Sequence, residues 1–175
     1  DIISIDPAPP IWSAGTVNLY SREFFELCRS HLNDSGIFCL WIPPAASTDV
    51  KMIMKSFLHV FPETHVYRGP FFAGFYMMGY MKYSPADPLR FAAISKDSLL
   101  MRDLTEWNKI FNSPTDLMTL KLFTPDQLAE VVKDSKEISD NYPYTEFPLW
   151  RSIYNPEYSI TLDATHFKPK AGTLP

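Results

Sequence analysis

Asp1-Ile2-Ile3-Ser4-Ile5-Asp6-Pro7-Ala8-Pro9-Pro10-Ile11-Trp12-Ser13-Ala14-Gly15 is an apolar run that ends on a carboxylate and passes into a proline-stiffened loop. The run reads as a buried strand. Asp6 falls at its carboxyl end, where ligands of open α/β sheets bind, and the prolines limit how the following loop moves. The loop leads to a helix start at Ser21-Arg22-Glu23-Phe24-Phe25. A charged group held between an apolar strand and a stiff loop is how an α/β enzyme presents a side chain to a substrate. The strand begins at the first residue with no initiator Met, which reads as a piece excised from a longer chain.

Working outward, Ser21 suits the N-cap position and Glu23 the first turn, and Phe24, Leu27, Cys28 and Leu32 recur at helical spacing. The helix is expected to stop at Asn33-Asp34-Ser35-Gly36. Ile37 to Ile42 is continuously apolar and short, the pattern of a strand buried on both faces, and Pro43-Pro44 ends it. The two strands and their helix make a βαβ crossover. Ser47 or Thr48 can cap a second helix whose Val50, Ile53, Met54, Phe57, Leu58 and Phe61 share one face before Pro62. His65 to Arg68 and Phe72 to Tyr83 read as two strands of an antiparallel hairpin.

Beyond Pro85 the pattern changes to short capped helices. Leu100, Leu104, Trp107 and Phe111 share a helical face, and Ser113-Pro114 and Thr124-Pro125 each place a hydroxyl before a proline at the first helical position. Thr124-Pro125-Asp126-Gln127 is a complete capping box. From Asn141 onward Pro143, Pro148, Pro156, Pro169 and Pro175 interrupt a stretch of little periodicity. The expected organisation is a sheet region over 1–84, a helical extension packed on it over 85–151 and an irregular tail over 152–175.

At 175 residues with 46% hydrophobic content the chain can bury one core. A net charge of -4 with scattered Lys and Arg makes no basic stripe, which argues against nucleic acid as a partner. Cys28 and Cys39 read as buried apolar side chains of a reducing compartment. No apolar run approaches the roughly 20 residues that span a bilayer, so no direct membrane contact is expected. His31, His59, His65 and His166 are too widely spaced to suggest a metal site, and no nucleophile elbow is present.

Ile3-Ser4-Ile5-Asp6-Pro7 followed by Trp12-Ser13-Ala14-Gly15-Thr16-Val17-Asn18-Leu19-Tyr20-Ser21-Arg22-Glu23-Phe24-Phe25 resembles the polyamine aminopropyltransferases, the spermidine synthase family. Leu32 to Trp41 is similar to that family's Leu-x-x-x-Gly turn, here Leu32 to Gly36, into the next strand, and Asp140 to Phe147 resembles the ending of its bacterial branch that follows a membrane-embedded transporter-like region. The resemblance runs from the first residue to about Arg151. It implies the α/β fold of S-adenosylmethionine-dependent methyltransferases, Rossmann-like, of which this chain would be the C-terminal half, followed by short helices. The glycine-rich nucleotide loop and the ribose-binding acid would lie in the other half, and the sheet of this chain would expose an apolar edge for that other half to cover.

In that family an amine attacks the methylene beside the sulfonium of decarboxylated S-adenosylmethionine, and a carboxylate orients the amine and takes its proton. The resemblance gives this catalytic place to Asp6. It implies substrate contacts for Trp12, Ser13, Gly15 and Tyr20 and co-substrate contacts for Pro7 and Leu19, with putrescine as the type of amine, a homodimer as the common assembly and no metal. A second acid is expected three positions after Asp6, where this chain has Pro9. Trp12, Tyr20 and Trp41 could wall a pocket, and Gly15 permits close backbone approach or a hinge. The location expected is cytoplasmic, including the cytoplasmic domain of a membrane protein. Two other readings stand beside this one. Asp6-Pro7-Ala8-Pro9 is loosely similar to the loop of methyltransferases that act on exocyclic amines, with Ile11 before the aromatic Trp12; alternatively the domain is a non-catalytic binding module, consistent with Pro9.

Overall fold

The structure is a computed structural model that describes residues 1–7, 15–69, 74–85, 87–106 and 113–146. Strand β1 (Ile2–Ile5) is followed by a 3-10 helix (Thr16–Tyr20), helix α1 (Arg22–Ser30), β2 (Ile37–Ile42), α2 (Ser47–Val60) and the hairpin β3 (Glu63–Arg68) and β4 (Phe75–Tyr80). Then come α3 (Pro88–Ile94), α4 (Ser98–Glu106), a second 3-10 helix (Pro114–Leu120), β5 (Lys121–Phe123) and α5 (Pro125–Val132).

The five strands form one mixed sheet in the order β1-β2-β4-β3-β5. β1 pairs parallel with β2, Ile2 opposite Ile37 and Ile5 opposite Leu40. β4 is antiparallel to both of its neighbours. Consequently β1, β2 and β3 run one way and β4 runs against them. Both β1–α1–β2 and β2–α2–β3 are therefore helical crossovers between parallel strands, and β4 fills the space that the second crossover leaves.

Local chemistry accounts for most element ends. Ser21 Oγ accepts from the Phe24 amide at 3.3 Å and donates to the Asn18 carbonyl at 3.1 Å, which joins the 3-10 helix to α1. The Thr124 amide donates to Gln127 Oε1 at 3.0 Å, and Thr124 Oγ1 accepts from the Gln127 amide, so the capping box forms as expected. Two expectations shift. α2 begins at Ser47 with Ala46 as its cap and no side-chain cap bond, and Asp49 lies buried in the first turn. α1 ends at Ser30, and its buried face carries Phe25 and Cys28 while Leu27 is 57% exposed. One extra apolar neighbour at position 25 turns the stripe, because burial follows the packing partner rather than spacing alone.

α1, α2 and α5 supply one core on a single face of the sheet. Phe57 of α2 packs 5.1 Å from Phe25, stacks on Phe38 at 5.3 Å and lies 5.1 Å from Phe61. Leu40, Ile42, Val66 and Met77 from the strands and Leu128 and Val132 from α5 complete it. Gly79 on β4 lies directly beneath these rings: a Cβ there would sit 2.7 Å from Phe61 and 2.8 Å from Phe57. Ser56 Oγ accepts from the Ile138 amide at 2.7 Å and ties the segment after α5 to α2.

By compactness the chain divides into two units, Asp1–Lys82 together with the described residues from Leu122 onward, and Tyr83–Lys121. In the second unit α3 and α4 are capped by aspartates, and the second 3-10 helix by Ser113. Asp87 accepts from the Leu89 amide and Asp97 from the Leu99 amide, each at 2.9 Å. α4 buries no residue, and Leu100 is 47% exposed; Trp107 and Phe111, expected on the same face, lie outside the described residues.

Candidate functional site

Ile3 and Ile5 of β1 pack against the helix-covered core, so Ser4 belongs to the other sheet face, and Asp6 is the first residue past the strand's last pair with β2. The strand pairings carry that face across the sheet in rows: Ser4, Cys39, Met78 and His65 form one, and Trp41, Tyr76 and Tyr67 form the next. Asp6 follows β1 at the carboxyl end where the second row begins. It is exposed, and among the described residues no cation pairs with it.

Two phenols lie within reach of its charge. Burial pushes the Tyr20 hydroxyl well above the ordinary tyrosine range, and the negative charge of Asp6 adds to the effect. Tyr76 is raised by its partial burial first, then by Asp6 and Cys39. Both phenols therefore stay protonated. Tyr20 is fully buried and among the described residues its hydroxyl has no hydrogen-bond partner, an uncommon condition for a polar atom of a core side chain. Burial raises the Cys39 thiol, opposed by a side-chain hydrogen bond with Ser4, so it is a poor nucleophile.

Of the other residues assigned to the site from the sequence, Gly15 is exposed with φ of 81° immediately before the 3-10 helix, a conformation that glycine adopts without a Cβ penalty. Pro7 is buried and Leu19 half-buried. Trp12, Ser13 and Pro9 lie outside the described residues. Trp41 is half-buried directly opposite Tyr76. Tyr76 itself went unassigned from the sequence. Its face was readable from the alternation of Phe75, Tyr76, Met77 and Met78, but its nearness to Asp6 depends on β4 pairing with β2.

An open pocket beside the start of α1, away from Asp6, is lined by Arg22, Glu23, Lys136, Glu137, Tyr142 and Tyr144 among others. Its charges are satisfied internally. Arg22 lies 3.6 Å from Glu23 and 3.8 Å from Glu137, His59 meets Glu137 at 2.9 Å, and the Lys136 ammonium sits 4.7 Å from the centre of the Tyr144 ring. It offers a ligand no charge comparable to Asp6.

Among the described residues no group of three or more His, Cys, Asp or Glu side chains could hold a metal ion, and no helix is long and apolar enough to cross a membrane. No family model matches the chain, and no curated protein matches it.

Proposed function

We propose that this chain is the C-terminal part of a spermidine synthase-like transferase in which Asp6 binds the ammonium of an amine substrate and takes up its proton. The observation that carries the reading is the exposed carboxylate of Asp6 at the carboxyl end of a parallel strand, with no cation paired to it among the described residues and two protonated phenols within reach of its charge. A carboxylate so placed is suited to a cationic ligand. The parallel β1–α1–β2 unit and the position of β1 at the edge of the sheet support the finer reading of a Rossmann-like half-sheet that continues past β1.

In the reaction, the amine nitrogen forms a bond to the methylene beside the sulfonium of decarboxylated S-adenosylmethionine. The carbon–sulfur bond breaks, its electron pair stays on sulfur as a neutral thioether, and the proton leaving nitrogen passes to Asp6. Among the described residues no glycine-rich loop opens a helix after a strand, so the nucleoside is assigned to the N-terminal half that the resemblance implies. A homodimer in the cytoplasm or on the cytoplasmic side of a membrane is part of the same reading.

Calorimetric titration of this chain with putrescine tests the amine half of the proposal. Binding that is lost in Asp6→Asn supports it; equal binding by the two proteins removes Asp6 from the site. The non-catalytic alternative is favoured by Pro9 in place of the second acid. Aminopropyl transfer by the longer protein, followed by mass spectrometry of the amine, would exclude that alternative.

A further inference from the structure

The row Trp41, Tyr76 and Tyr67 leads away from Asp6 across β2, β4 and β3, each ring half-buried on the face opposite the packed helices. Neighbouring strands are about 4.8 Å apart, so three rings in register span about 10 Å of apolar, π-bearing surface that starts at the carboxylate. We infer that the Asp6 site takes a primary monoamine with an apolar or aromatic body in preference to a diamine, with Tyr76 as the residue that sets this preference. The inference rests on the reading of Asp6 as the amine-binding carboxylate and names the substrate class of that site.

A diamine needs a second anion for its far ammonium. Among the strand residues of this face the other carboxylate is Glu63, which pairs with Tyr80 two side-chain rows from Tyr76 and on the third strand from β1. Asp49, at the start of α2, is only 1% exposed and already engaged. The position three residues after Asp6 is Pro9, which carries no charge. The far ammonium of putrescine would thus lie over the aromatic row, where a π face returns little of the hydration that a compact ammonium loses. An apolar tail loses no such hydration there and gains burial against Trp41 and Tyr76. An arylalkyl tail adds ring-on-ring contact.

The test is calorimetric titration of the chain with phenethylamine and with putrescine at fixed pH and ionic strength, repeated on Tyr76→Leu and Asp6→Asn. Phenethylamine is expected to bind about tenfold more tightly than putrescine, and Tyr76→Leu to erase most of that ratio by weakening phenethylamine alone. Should Tyr76→Leu fail to fold, Tyr67→Leu at the far end of the row reads the same preference. Putrescine binding as tightly as phenethylamine, or a ratio untouched by the variant, overturns the inference and leaves the amine-binding role of Asp6 standing. Binding of neither amine, or binding that survives Asp6→Asn, overturns the role of Asp6 and the inference with it.

Discussion

Tyr20 is buried completely, its hydroxyl lacks a hydrogen-bond partner among the described residues, and the charge of Asp6 acts on it. Its folded-state pKa is raised above the unfolded value near 10, so the stability it contributes through ionisation is fully present below that pH and is lost as pH rises further. Tyr20→Phe is therefore expected to flatten the alkaline fall in stability seen in urea titrations above about pH 10, and to leave the protein at neutral pH as stable as before or more so. A clear loss at neutral pH would mean that the hydroxyl has a stabilising partner. Gly79 makes the opposite case, a position with no spare room. Gly79→Ala drives a methyl against Phe57 and Phe61 and is expected to cost about 1–3 kcal/mol of unfolding free energy. A stability unchanged within about 0.5 kcal/mol would show that the two rings can give way. Of the two tyrosines beside Asp6, Tyr20 was marked by the resemblance, whereas Tyr76 did not announce itself by residue type, because aromatic residues make up 15% of the chain and serve core and surface alike.

At the scale of elements, caps decide where helices begin and tertiary contacts decide whether they persist. α5 is 8 residues long, too short to be stable alone, and is held by its capping box and by Leu128 and Val132 in the core. Thr124→Ala removes the acceptor for the Gln127 amide and is expected to lower global stability by about 1 kcal/mol. Hydrogen exchange should show the added opening concentrated in α5. Uniform loss of protection across the sheet would place the effect elsewhere. The contrast with α2 is instructive. Its N-cap is Ala46, yet its face of Val50, Ile53, Met54 and Phe57 is buried throughout, so packing fixes a start that no capping hydroxyl marks. This is why Ser47 and Thr48 misled as caps while Ser21 and Thr124 did not.

At the scale of the whole molecule, the sheet unit depends on one aromatic cluster that joins α1, α2 and β2. Phe57 touches Phe25, Phe38 and Phe61, and Phe57→Ala is expected to cost about 3–5 kcal/mol, enough to unfold a marginal domain at moderate temperature. A urea midpoint close to that of the parent chain would show that the core collapses into the cavity. The local pattern of the amino-acid sequence determined the buried face of α2, the capping box of α5, the β1–α1–β2 crossover, the hairpin and the place of Asp6 at a strand's end, because each follows from spacing within about a dozen residues. The tertiary structure alone decided that β4, and not β3, lies beside β2. Both strands alternate acceptably, and the choice rests on packing over the whole face: Gly79 of β4 fits beneath Phe57 and Phe61 of α2. That placement puts Tyr76 opposite Trp41 and within reach of the charge on Asp6, across 70 residues of chain. Spacing along a sequence carries no record of such a distance, because it is set by which surfaces bury one another.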